Sequence, residues 1–244
     1  MNPLINRKTK VIDLGLKEYS AAWDYQTQLF EGILEVKRKN RGASAGGQVP
    51  TPNYLVFCEH PHVYTLGKSG KEKNLLIPKE KLTDIGASYF HINRGGDITY
   101  HGPGQIVVYP VIDLENFFTD IHKYMRMLEE SVIQTLKEYG IAAGRTEGLT
   151  GVWLAPKGSK GSRKICALGV KTSRWVTLHG LAFNVNTNLS YFNHIVPCGI
   201  EDKAVTSMER ELGATQDIGR VKKALLKNMA SLFGMEAAEG IIPA

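Results

Sequence analysis

The chain has 244 residues, 43% hydrophobic and 22% charged, with a formal net charge of +6. Its three cysteines, Cys58, Cys166 and Cys198, are odd in number and far apart, which argues against a disulfide framework or a structural zinc site. The longest apolar run, near 106–114, is far too short to span a membrane, and the first fifteen residues lack the apolar core of a secretory signal. A single cytoplasmic domain over 1–244, away from membranes, is the expected organisation. The basic charge falls largely in loops (38–41, 68–73, 157–164), with no basic helix carrying interleaved aromatics, so nucleic acid is not an expected partner.

In chain order, Ala22, Leu29, Phe30, Ile33 and Val36 lie near helical spacing and predict a helix over 17–37. The stretch that follows, KRKNRGASAGGQVPTP at 37–52, reads as a flexible basic loop. Residues 54–58 (YLVFC) form a short buried strand, and 63–66 another after the His60-Pro61 turn. Residues 88–93 and 105–113 read as strands on either side of a glycine-rich island. A helix is predicted over 120–139, with Met125, Leu128, Val132 and Leu136 on its core face and Gly140 as its stop. Strands at 151–155 and 165–170 are joined through PKGSKGSR, and 176–185 alternates over much of its length. Two helices, 205–212 and 217–233, close the chain. Helices before, between and after blocks of strands predict an α+β fold with a mixed, largely antiparallel sheet; a doubly wound order does not fit.

Two segments carry the chemistry. RGGDITYHGPGQ at 94–105 packs four glycines, an arginine and a histidine between apolar runs. It is neither a P-loop nor a dinucleotide fingerprint. Its glycines let backbone approach a ligand closely and offer free N–H groups, with Arg94 available for a carbonyl or anion. The second segment, IVPCGI at 195–200, presents Cys198 between a proline and a glycine. Cys58 and Cys166, inside apolar runs, read instead as small buried hydrophobes. A free thiol with pKa near ~8.5 is only a few per cent thiolate at neutral pH, so Cys198 needs a partner. Lys164, His101 and His179 are the candidates, and position alone does not choose among them. If 164–168 is a regular strand, Lys164 and Cys166 face the same side. The flexible PKGSKGSR stretch before Lys164 would leave that lysine mobile.

EHPHVYTLGK (59–68), RGGDITYHGPGQ (94–105), KICALGVK (164–171), TLHGLAFNV (177–185) and IVPCGI (195–200) stand in this order in the chain. Together they resemble the lipoyl(octanoyl) transferases of protein lipoylation, from about Tyr54 to Glu209. The resemblance implies transfer of an octanoyl group from octanoyl-acyl carrier protein to a lysine of a lipoyl domain. The implied acceptors are 2-oxoacid dehydrogenase E2 subunits and the glycine cleavage H protein. By the same resemblance Cys198 is the nucleophile that becomes a thioester, and Lys164 pairs with it. Arg94, Gly95, Gly96, Asp97, Ile98, Thr99, Tyr100 and His101 match segments lining the acyl site, as do Ala167, Leu168, Gly169, Gly180, Leu181 and Ala182. The implied fold is the α+β domain of biotin and lipoate protein ligases, working as a monomer without a cofactor or metal.

The residues agree with that chemistry. Thioester exchange is close to isoenergetic and needs no nucleotide. Small residues at 95–96, 167, 169, 180 and 182 leave a narrow slot, where burying roughly seven methylenes at ~0.8 kcal/mol each contributes at most about 5–6 kcal/mol. A basic surface speeds encounter with acidic carrier and lipoyl domains. Three other readings stand beside this one. An ATP-dependent lipoate or biotin ligase would need no cysteine. A non-catalytic docking module would hold its partners with an unreactive Cys198. A cysteine hydrolase would depend on His101 or His179.

Overall fold

The structure is a computed structural model that describes residues 4–44, 46–156, 161–196, 204–237 and 242–243. It opens with strand β1 (Lys8–Leu16), helix α1 (Tyr19–Gly42) and strand β2 (Asn53–Glu59). β1 and β2 pair in parallel, so these three elements form a βαβ unit within a sheet that is elsewhere mainly antiparallel. β1 lies in a stretch whose pattern predicts no element. Strands β3 (Val63–Leu66), β4 (Ser88–His91) and β5 (Ile98–His101) form a small second sheet in the order β4-β3-β5.

The main sheet continues with β6 (Gln105–Val111), β7 (Gly144–Thr146), β8 (Leu149–Leu154), β9 (Arg163–Ser173), β10 (Val176–Asn184) and β11 (Ala204–Val205). Helix α2 (Ile121–Glu138) separates β6 from β7. Helices α3 (Met208–Leu212) and α4 (Ile218–Phe233) precede β12 (Glu236–Ala237) and β13 (Ile242–Pro243). Among the described residues the order is β12-β1-β2-β6-β10-β9-β8-β7, with β11 beside β9 and β13 beside β1.

Alternation along the strands splits the core into two layers. Leu55, Phe57, Val108, Leu181 and Phe183 face α2 and α4, whose apolar stripes supply Leu128, Val132, Leu225 and Met229. Val56, Tyr109, Val111 and Leu178 face α1 through Ala22, Phe30 and Ile33. Each such side chain contributes roughly 1.5–3 kcal/mol on burial. Helix starts carry caps: Asp120 and Asp217 accept from the backbone N–H of Lys123 and Arg220. Gly140 takes φ 73° just past α2, as its position predicts.

The stretch 37–52 departs from its predicted looseness. α1 runs on to Gly42, and Lys37, instead of starting a loop, is buried, its Nζ 2.6 Å from Asp113 and 2.9 Å from Glu115. Asn40 then ties the loop back, donating to the carbonyl of Val49 (2.7 Å) and accepting from its N–H (3.0 Å). A lysine's sequence neighbours do not reveal a carboxylate 76 residues away. Among the described residues no helix is long and apolar enough to cross a membrane.

Candidate active site

A cavity of about 400 Å³ opens on the α1-facing side of the main sheet, beyond the N-terminal end of that helix. Its floor is built in rows. Gln105 pairs with Asn184; Val107, Ala182 and Ala167 form the next row, and Gly180 and Gly169 the one after. Alanine and glycine at these positions keep the floor low. Its roof is the 94–101 segment, zipped to 67–69 by backbone bonds from Gly67, Lys68 and Ser69. A Cβ on Gly67 would stand 2.3 Å from the Gly96 carbonyl oxygen, so only glycine permits this approach.

The glycine island serves the fold more than the sequence pattern suggests. Gly95 donates its N–H to the Val170 carbonyl and Gly104 donates to Glu59, so these two N–H groups are engaged internally. Arg94 is buried, donating to the carbonyls of Gly95 and Thr65 and to the Thr65 hydroxyl. It fixes the roof to β3.

Lys164 stands at the mouth of the cavity in a built cradle. Its ammonium lies 4.6 Å from the centre of the Trp153 ring. Its stem passes Gly151, which has φ 119°; a Cβ there would come within 2.7 Å of the Cys166 carbonyl and 3.4 Å of Lys164 Cε. Buried Glu129 accepts the Gly151 N–H at 2.9 Å and is itself paired with Arg126 and Arg145. Arg163, next to Lys164, donates to Glu211 and to the Ala155 carbonyl and is 6% exposed. Arg163 thus ties the described end of the PKGSKGSR stretch to Glu211 and Ala155; residues 157–160 lie outside the described residues.

The expectation that Lys164 and Cys166 share a side fails. The β8–β9 register shifts between Val152, opposite Cys166, and Trp153, opposite Lys164. This bulge makes Ile165 an extra residue and reverses the alternation. Lys164 lines the cavity, whereas Cys166 sits with Ile165 in the core under α2. Burial raises the Cys166 thiol well above its ordinary range, and Cys58 likewise, so both remain protonated.

The candidate histidines also separate. His101 Nδ1 meets the side-chain oxygen of Gln105 at 2.8 Å and, facing an acceptor, donates. The Gln105 amide in turn donates to Asn184 and to the Tyr100 carbonyl. Burial and neighbouring His60 push His101 down to about 3, so it is a neutral, fixed side chain. His60 donates Nδ1–H to the Lys17 carbonyl and accepts from the Tyr109 hydroxyl, and burial lowers it to about 4. His179 differs: its backbone is left-handed at φ 62°, and neither ring nitrogen has a partner among the described residues. Burial, with Arg94 next in effect, lowers it to about 3.

Arg94, Gly95, Gly96, Asp97, Ile98, Thr99, His101, Lys164, Ala167, Leu168, Gly169, Gly180, Leu181 and Ala182 all line this one cavity. Tyr100 does not. Alternation along β5 turns it to the far face of the small sheet, where it bonds His62 and stacks on Tyr191. Cys198 lies outside the described residues. Sequence reasoning missed Tyr19, Gln105, Val107, Tyr109 and Asn184 as wall residues. Period-two spacing from Gln105 through Tyr109 was a usable signal; Tyr19, brought in by α1, had none.

Residues 18–230 match the family described as the lipoyl protein ligase A/B catalytic domain. An octanoyltransferase of Cytophaga hutchinsonii is 57% identical over 233 residues, 96% of both chains. One from Bacteroides fragilis is 50% identical over 218 residues, 89% of this chain and 95% of that one. Among solved structures, a lipoate-protein ligase A bound with ATP superposes with a TM-score of 0.63 at 17% identity, covering 98% of this chain and 90% of that one. A bi-partite lipoate protein ligase from Thermoplasma acidophilum gives 0.61 at 17%, over 98% and 88%. At that identity the likeness is one of fold.

Proposed function

Because the chain belongs to the lipoyl protein ligase A/B catalytic domain family, we propose that it is an octanoyltransferase acting from octanoyl-acyl carrier protein onto the lysine of a lipoyl domain. The observation that carries this reading is Lys164, cradled by Trp153 and Gly151 at the mouth of a cavity floored by alanine and glycine. The slot suits a linear acyl chain. The relatives at 50–57% identity over most of their length carry the same name for their activity.

In the proposed reaction the Cys198 thiolate attacks the donor thioester carbonyl. The bond to the carrier sulfur breaks, and that sulfur leaves as a thiol with the proton held by Lys164. The acceptor lysine amine then attacks the acyl-enzyme. Its proton passes to Lys164, the Cys198 sulfur leaves, and an amide remains. β11, which follows the Cys198 segment, supports this pairing: Val205 lies beside Lys164 in the sheet, and Thr206 N–H binds the Lys164 carbonyl. His101, held neutral by burial and fixed in place by Gln105, is better suited to shaping the wall than to moving protons. One catalytic domain, working as a monomer in the cytoplasm without ATP or metal, completes the reading. E2 lipoyl domains and the glycine cleavage H protein are its acceptors.

The test is intact mass spectrometry after mixing with octanoyl-acyl carrier protein. The expected result is a gain of one octanoyl group, reversed by hydroxylamine and absent in Cys198→Ser. Lys164→Ala is expected to lower transfer to a lipoyl domain by at least 10³-fold, the scale at which an acid–base partner acts. Adenylate formation from ATP and free octanoate without an adduct would make the protein a ligase instead.

A further inference from the structure

The far end of the cavity is closed by a side chain that the strand pattern should have sent elsewhere. Residue 179 falls between Leu178, which faces α1, and Gly180, on the cavity floor. Regular alternation would turn it to the other face with Leu181 and Phe183. Two local features prevent that. In the β6–β10 register the residue opposite His179 is Pro110, which has no N–H, and the ladder between these strands lapses there. His179 adopts φ 62° and gives its own N–H to the Gln26 side chain of α1 at 3.0 Å. The ring then lines the cavity while remaining 2% exposed.

Nothing among the described residues uses the polarity of this ring, since both nitrogens and the Gln26 amide nitrogen are buried without partners. What the position demands is bulk at a left-handed residue. β-Branched and large apolar side chains are penalised there, whereas histidine is enriched several-fold among non-glycine residues with positive φ. The distance fits a stop. His179 pairs with Val170, six residues along β9 from Lys164; because Ile165 is the extra residue of the bulge, about five strand rises separate them, or roughly 16–17 Å at about 3.3 Å per residue. A lysine side chain reaching about 6 Å and an extended eight-carbon chain of about 9 Å, built from bonds near 1.5 Å, bring the terminal methyl against the ring.

Resting on the octanoyltransferase reading, we infer that His179 is the end wall of the acyl cavity and sets the chain length the enzyme accepts. It is a specificity-determining residue that touches the end of the chain remote from the reacting carbonyl. Replacing it by glycine suits the left-handed backbone and extends the slot; replacing it by phenylalanine advances the wall.

The experiment measures transfer of hexanoyl, octanoyl, decanoyl and dodecanoyl groups from acyl carrier protein to a lipoyl domain. Wild type is expected to favour octanoyl. In His179→Gly the decanoyl-to-octanoyl ratio of kcat/KM rises at least tenfold, and in His179→Phe the hexanoyl-to-octanoyl ratio rises. These opposite shifts separate a wall from general damage, which would lower all chains together. Should the phenylalanine variant not fold, the glycine variant decides alone. An unchanged ratio in a folded His179→Gly protein overturns the inference and leaves the enzyme reading intact. Absence of octanoyl transfer by wild type overturns the enzyme reading itself.

Discussion

At Lys164 the useful information is geometric rather than compositional. A lysine beside a Gly/Ser/Lys stretch resembles any solvated loop lysine. The fold gives it a ring face, a glycine to lie against and a neighbouring arginine locked to Glu211. Gly151 is the least replaceable part of that cradle. In Gly151→Ala the new Cβ meets a backbone oxygen at 2.7 Å at a φ that L-residues avoid. The expected cost is about 1–3 kcal/mol of stability, read from the urea midpoint. A fall in kcat larger than the loss of folded protein explains is also expected, because the lysine stem must move. Full activity would show that the cradle does not position Lys164. Lys164 and the small residues at 167, 169, 180 and 182 were legible in the sequence; the Trp153 and Gly151 cradle and the facing of Cys166 were not, because partners across strands and a one-residue bulge at Ile165 cannot be read from spacing.

The elements divide in the same way. The helices near 120–139 and 217–233 and the strand at 176–185 declare themselves through local periodicity, and α2, α4 and β10 lie where that periodicity puts them. β1 and the last turns of α1 do not, because their partners are remote. Lys37 is held by Asp113, whose carboxylate also accepts from Thr51 and from the Glu115 N–H. Removing the lysine leaves a buried carboxylate without its cation, at a typical cost of 3–5 kcal/mol. Lys37→Met is therefore expected to lower the denaturation midpoint sharply while Arg38→Met, on the exposed side of α1, leaves it nearly unchanged. Equal, small effects would mean that Asp113 is stabilised without Lys37.

Across the whole molecule, three buried histidines gather where α1 and the small sheet meet the main sheet. His60, His101 and His179 are held neutral, at about 4, 3 and 3, against an ordinary value near 6.5. Between these limits the unfolded chain binds protons that the folded chain does not. Their contribution is thus fully present above about pH 6.5 and lost as pH falls toward 4. Each histidine in that window adds a slope of up to about 1.4 kcal/mol per pH unit. Urea unfolding at pH 7, 6 and 5 should show this decline; a flat profile would mean that the rings protonate in the native state. The long helices and central strands, the family and the motif residues of the site were decided by the sequence itself, since each rests on short-range pattern or on motifs of ten residues or so. Tertiary structure alone decided that Cys166 turns away from Lys164, that Tyr100 leaves the cavity, that His101 is pinned and that His179 closes the slot. Those outcomes depend on a bulge, on sheet facing and on partners such as Gln26 and Gln105, which act through space rather than along the chain.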